Sequence, residues 1–252
     1  CVIQALASLK GDIRFQKANP PKAWAGLDIF VVGSWTHSLA FRKASSKAFP
    51  SEEGTPGVAI IVDDLGNDPK LAAAFMTLDL PLSLSVLPGT PFSRQLAKRA
   101  RQQRYEVLLH LPMEPKGYPA IDPGPLALFL SMGEKQIRKT FAEALDSVPG
   151  ASGVNNHMGS SFTENEEKMA QLLEVLKAQN LFYVDSRTTS RAVGMRVAKR
   201  IGVPVAERSV FLDNDLTTEA IEIQMDRLLT LAKDTGTAVG IAHPHPKTLE
   251  AL

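Results

Sequence analysis

Val58-Ala59-Ile60-Ile61-Val62-Asp63-Asp64-Leu65-Gly66 carries an aliphatic, largely β-branched run straight into two adjacent carboxylates and a glycine. Such a run reads as a buried strand. Side chains alternate along a strand. Where the chain leaves the sheet, both Asp63 and Asp64 can reach the rim on which α/β proteins place their chemistry. An Asp is also a favoured helix cap, so the pair gains meaning only from what surrounds it.

Outward from this stretch, strands and helices alternate. Leu82-Ser83-Leu84-Ser85-Val86-Leu87 alternates with period two, and Glu106 to Leu109 runs into His110. Short strands are expected at 153–155, Leu181 to Asp185, 210–212 and 237–241. Asn67 or Asp68 caps a first helix with Pro69 in its opening turn. A basic amphipathic helix is expected over 91–103 and read as solvated surface. Ser131 and Thr163 each start a capping-box pattern, and Ile221, Met225, Leu228 and Ala232 recur at helical spacing. Five prolines between Pro112 and Pro125 mark an irregular loop. The repeating β-α order with short connections predicts parallel strands with helices outside.

Residues 1–57 differ from the rest. They are rich in Pro and Gly, and Lys43 to Thr55 reads as a linker, so 1–57 is an extension without assigned chemistry and 58–252 the main domain. Trp24, Trp35 and His37 are taken as packing or surface residues. The composition, 44% hydrophobic and 22% charged over 252 residues, is globular. A formal net charge of +1 gives no case for nucleic acid or an anionic membrane as partner. No apolar run approaches the ~20 residues of a membrane span. One cysteine, Cys1, excludes an internal disulfide framework and a multi-cysteine metal site. The chain holds no Gly-rich phosphate fingerprint and no Gly-x-Ser-x-Gly elbow.

The polar residues after the strands are Asp63-Asp64, His110 with Glu114, Asn155-Asn156-His157, Asp185-Ser186-Arg187, Asp213-Asn214-Asp215 and His243-Pro244-His245. Four of the five histidines thus fall on one predicted rim, facing a carboxylate pair. An Asp with two or three His suits Zn²⁺ or another divalent metal, and an open position on such an ion marks a catalytic site. Asp213 reads as a loop cap, and Arg187 as an ion-pair partner for Asp185.

In order along residues 57–249, Val62-Asp63-Asp64-Leu65-Gly66, His110-Leu111-Pro112-Met113-Glu114-Pro115, Asn155-Asn156-His157-Met158-Gly159-Ser160, Phe182 to Thr188 and Phe211-Leu212-Asp213-Asn214 resemble the divergent polysaccharide deacetylase family. That family is related to carbohydrate deacetylases of the NodB-type fold. The resemblance implies an irregular (β/α) barrel of about seven parallel strands. It also implies metal-dependent removal of acetyl groups from a polysaccharide or glycan, and export to the periplasm, with a leader outside this chain.

Carried over residue by residue, the resemblance makes Asp63 the base, Asp64 and His110 metal ligands, and His243 the acid, with His245 a weaker match. The usual second ligand histidine is replaced by Glu114, so Glu114 or His157 takes its place, or the metal is lost. Asn155, Asn156, Asp185 and Arg187 are supporting or substrate-binding residues, with Asp185 a loose match to the orienting carboxylate. Tyr118 and Phe162 are candidates to stack on sugar rings. The rival reading is a periplasmic protein that kept the barrel to bind a glycan or an envelope partner. A phosphoesterase is a third, opposed by the lack of a cationic cluster among the motifs.

Overall fold

The computed structural model describes residues 56–252 apart from residue 79, together with the backbone of three strands nearer the N-terminus. Those strands, β1 (Ile13–Lys17), β2 (Trp24–Val31) and β3 (Ser34–Arg42), form an antiparallel sheet in the order β1-β2-β3, where the sequence suggested only an extension. The linker expected over 43–55 and the side chains of Trp24, Trp35 and His37 lie outside the described residues.

The second sheet holds eight parallel segments. They are β4 (Gly57–Leu65), β5 (Ser83–Val86), β6 (Glu106–Met113), β7 (Gly153–Met158), β8 (Phe182–Asp185), β9 (Val205–Glu207), β10 (Val210–Phe211) and β11 (Thr237–Ala242). Their spatial order is β10-β11-β4-β5-β6-β7-β8-β9, so β9 and β10 are the two edges. Yet only Arg208 and Ser209 separate β9 from β10. The backbone N–H of Arg208 donates to Asp185 on one edge (2.9 Å), and that of Ser209 donates to Val239 on the other (2.8 Å). β9 and β10 are therefore halves of one closing strand, and the sheet rolls into a barrel of seven strands.

Period-two alternation splits each strand between two environments. Ile60, Val62, Leu84, Leu109, Leu111, Val154 and Tyr183 face outward and pack on helices, among them α3 (Glu134–Ser147), α4 (Glu166–Ala178) and α6 (Thr218–Thr235). Ile61, Leu108, Val184 and Ile241 face inward and form a separate apolar plug with Phe182, Ala206, Phe211 and Val239. Two residues further along these strands, on the same inner face, come Asp63, His110, Ser186 and His243, joined by Asn155 of β7. The polar site is thus the layer stacked on the apolar plug.

Helix starts differ from the sequence reading in two places. α3 begins after Gly133, not Ser131: the Gly133 N–H donates to the Gln136 side chain at 3.0 Å. α4 is capped by Asn165, whose side chain accepts from the Lys168 N–H, while Thr163 sits in a 3-10 turn and donates to the Gly159 carbonyl. The first helix, α1 (Pro69–Phe75), is capped by Asp68 as expected. Two further helices, α2 (Ser93–Gln102) and α5 (Gly194–Ile201), cover the sheet, and a C-terminal helix, α7 (Pro246–Ala251), follows the last strand.

Candidate metal centre and active site

Two adjacent residues on a regular strand cannot both face inward. β4 resolves this with a bulge: Val62 pairs with Leu84 and Leu65 with Val86, so three steps on β4 match two on β5. Asp64 is the inserted residue, at φ +54. A bulge of this kind re-aims a side chain. It turns Asp64 toward the barrel mouth beside Asp63, on a strand that continues past both. β6 and β7 likewise run through His110 and His157 rather than ending before them. Pro112 lies inside β6, beyond the end of β5, where no ladder needs its missing N–H.

Asp64 Oδ1, His110 Nε2 and His157 Nδ1 form a nearly equilateral triangle. The separations are 3.1 Å from Asp64 to His110, 2.9 Å from Asp64 to His157, and 3.2 Å between the two nitrogens. Bonds of about 2.0–2.1 Å to one ion place ligand atoms about 2.9 Å apart at right angles and about 3.4 Å apart at tetrahedral angles. The triangle lies between these values. Asp64 Oδ1 is buried and has no hydrogen-bond partner of acceptable direction. Its two imidazole neighbours are close without donating to it, as expected of ligands that converge on a common point. The donor set, one carboxylate and two imidazoles, is that of a zinc-type site with open positions. These residues fit a divalent cation.

Asn155 sets the state of this triangle from beneath. Its Nδ2 donates to Asp63 Oδ1 at 2.7 Å and reaches Ser186 Oγ at 3.4 Å. Its Oδ1 faces His110 Nδ1 at 3.0 Å and accepts from Ser85 Oγ at 2.6 Å. Asp63 Oδ1 is the acceptor of this bond, which fixes the amide orientation. Asn155 Oδ1 then requires a proton on His110 Nδ1, and the Nε2 lone pair is left to face Asp64 and His157.

Electrostatics follow the geometry. Burial works to raise the Asp64 pKa, but the adjacent His110 and His157 hold its carboxyl far below the usual range. Burial likewise works to lower that of His110, and the charges of Asp63 and Asp64 outweigh it, so the imidazole is raised above its ordinary value.

His243 is held across the mouth by Asp213. Nδ1 lies 2.8 Å from Asp213 Oδ1, and the His243 N–H donates to Oδ2 at 2.5 Å. Thr248 of α7, fully buried, donates to the same Oδ2 at 2.8 Å. Burial alone depresses the His243 pKa; the bond to Asp213 and the charges of Asp213, Asp63 and Asp64 raise it overall. Asp213 is therefore the carboxylate that orients the histidine, not a simple loop cap. Sequence reasoning missed this role, and those of Thr248, Ser85 and Ser186. The Leu212-Asp213 step after an apolar run was the available signal.

The other expected residues are placed differently. Asp185 faces outward: a Cβ on Gly194 would lie 2.6 Å from its Oδ2. Its Oδ1 accepts the Arg187 N–H at 2.9 Å. Arg187 makes its side-chain pair with Glu207 (3.3 Å) rather than with Asp185. Asn156 also faces outward, donating to the Met158 carbonyl and accepting from Tyr183 Oη and the Ser186 N–H. The Glu114 carboxylate accepts the Leu130 N–H at 2.7 Å and staples a loop, and it does not join the ligand triangle. The His245 ring sits 6.3 Å from that of His243. Phe162 is fully buried and is packing, whereas Tyr118 is exposed on the proline-rich loop and leans on Phe129 at 4.7 Å.

With barrel and site in place, comparison with known proteins is informative. The family model described as divergent polysaccharide deacetylase matches residues 60–252. The chain belongs to this family. It is 36% identical over 214 residues to the uncharacterized protein YibQ of Escherichia coli, covering 85% of this chain and 66% of that one. An uncharacterized Haemophilus influenzae protein is 32% identical over 223 residues, covering 88% and 75%. The chain thus spans about two thirds to three quarters of these relatives. An uncharacterized Agrobacterium tumefaciens protein of known crystal structure superposes with a TM-score of 0.75 at 24% identity, covering 82% of this chain and 84% of its own. A family 4 carbohydrate esterase from Streptomyces lividans, solved with acetate, gives a TM-score of 0.48 at 17% identity, covering 78% and 83%. The fold is a parallel, curled β/α barrel, and the Agrobacterium tumefaciens structure shares it.

Proposed function

We propose that this protein is a metal-dependent hydrolase that removes acetyl groups from a glycan, and that it works in the periplasm. The observation that carries the catalytic reading is the convergence of Asp64 Oδ1, His110 Nε2 and His157 Nδ1 on one point, flanked by Asp63 and the His243–Asp213 pair. Mere retention of a glycan would not call for a base and an acid facing a cation. The periplasmic assignment is supported by the family resemblance.

Asp64, His110 and His157 would hold a divalent ion, which would supply Lewis acidity toward an acyl carbonyl. The residues around it divide the proton transfers. Asp63 is oriented by the Asn155 amide, which donates to its Oδ1, and takes a proton from the attacking water. His243 has Nδ1 committed to Asp213, so its Nε2 delivers a proton to the departing amine or alkoxide. The products are acetate and the free amine or hydroxyl of the sugar. Tyr118, exposed on the proline-rich loop, is the ring available to stack on a sugar.

The test is acetate release from chitin, peptidoglycan and acetyl-xylan oligomers by zinc-loaded protein. Release is expected from at least one substrate. Asp63→Asn should lower it by ~10²–10⁴-fold with metal still bound. A fully loaded protein that releases no acetate from any of them would overturn the reading in favour of glycan binding alone.

A further inference from the structure

Arg187 follows β8, and Arg208 interrupts the closing strand between β9 and β10. Far apart in sequence, they meet at a cavity of about 240 Å³ lined by Arg187, Thr189, Ser190, Arg208 and Ser209. No carboxylate lines it.

Arg208 is anchored. Its Nε–H donates to the Ser186 carbonyl at 2.8 Å and an Nη2–H to the Arg187 carbonyl at 3.0 Å. Its guanidinium lies 3.7 Å over the Phe211 ring. Phe211 links this arginine to the neighbouring site, because its ring also lies 5.8 Å from that of His243. Arg187 is half-exposed and meets Glu207 at 3.3 Å, a solvent-screened pair of the weak kind. Burial and the charge of Arg187 together hold the Arg208 pKa below its ordinary value, against the opposing carboxylates of Asp185 and Glu207. Ser209 Oγ accepts the Val239 N–H at 3.1 Å, which leaves its own O–H to donate. Two guanidiniums that repel each other across a polar cavity form a receptor for an oxyanion.

The geometry points to an anion subsite: the Arg187–Arg208 cavity takes a carboxylate or phosphate carried by the glycan close to the acetyl group. This inference rests on the deacetylase reading for the identity of the neighbouring site. Its test is a binding measurement, so it fails or succeeds independently of acetate release.

Three probes separate the cases: N-acetylglucosamine, N-acetylmuramic acid, which adds a carboxylate, and N-acetylglucosamine 6-phosphate. Binding is followed through the arginine Nε–H resonances of zinc-loaded protein. At least one acidic sugar should shift the Arg187 and Arg208 signals and bind about tenfold or more tighter than the neutral sugar. The sugar that does so identifies the anion. Arg187→Gln, at an exposed position, should remove most of this preference. Arg208→Lys, which keeps the charge but not the fork, should weaken it while the barrel stays folded. Equal affinity for all three sugars, or a preference for the acidic sugar that persists in Arg187→Gln, would overturn the assignment.

Discussion

Replacing Asn155 with leucine removes one fully buried amide and leaves its neighbours in place. Asp63 Oδ1 loses a donor at 2.7 Å, His110 Nδ1 an acceptor at 3.0 Å, and Ser85 Oγ an acceptor at 2.6 Å. A buried polar group left unpaired costs about 1–3 kcal/mol, more when charged. Three such groups, offset by the apolar contacts leucine gains, put the loss of stability at roughly 3–6 kcal/mol. That is a large part of the ~5–15 kcal/mol of a typical domain. The second effect is on the metal. Without the Asn155 acceptor, His110 Nδ1 keeps only the more distant Asp63 Oδ1 at 3.6 Å, and loss of such an orienting partner lowers metal affinity about 10–100-fold. Urea denaturation of metal-free protein measures the first effect, and zinc competition titration of the folded variant the second. Asn156→Leu is the control. It also strips buried hydrogen bonds, but those face outward to Tyr183, Met158 and Ser186. It should destabilise the barrel and leave zinc affinity as it is. An Asn155→Leu protein that folds and binds zinc as tightly as the parent would refute the argument that Asn155 fixes the His110 tautomer.

Two more expectations concern pH. Asp213→Asn removes a carboxylate that raises the His243 pKa, so burial then acts with less opposition and the histidine loses its proton at lower pH. The alkaline limb of the pH–rate profile should move to lower pH, and turnover should fall by ~10²–10⁴-fold; an unmoved limb would count against His243 as the acid. Because His110 is raised above 6.5 in the metal-free site, a proton competes with the ion for it. Zinc affinity should therefore be lost as pH falls through that raised value, by about tenfold per pH unit below it, and titrations across pH 5–9 would show whether the affinity is instead flat.

The strands were legible because aliphatic runs ending in Asp, His or Asn recur at β-α spacing. The same alternation also separates Asn155 from Asn156: Gly153 and Asn155 share the inner face, while Asn156 lies on the other with Val154. Three features were not legible. The bulge at Asp64 depends on pairing with β5, which no local pattern in 58–66 reveals. β9 has three residues and no periodicity, and nothing local shows that the strand expected at 210–212 continues it, so that continuity is visible only in hydrogen bonds from Arg208 and Ser209 to opposite edges. The partner of His243 depends on β10 lying beside β11, which puts Asp213, read from the sequence as a loop cap, where Asp185 was the loose match. The cationic pair of Arg187 and Arg208 was hidden for the same reason, since it forms only where the barrel closes.

Asp64, His110 and His157 are proposed to hold one divalent ion. This is tested most directly by an anomalous difference map at the zinc edge, from crystals grown with zinc and without chelator. The account predicts a single strong peak bonded to Asp64 Oδ1, His110 Nε2 and His157 Nδ1 at about 2.0–2.1 Å, with Glu114 still on the Leu130 N–H. An empty triangle under saturating zinc, or a peak ligated by Glu114 in place of His157, would contradict it.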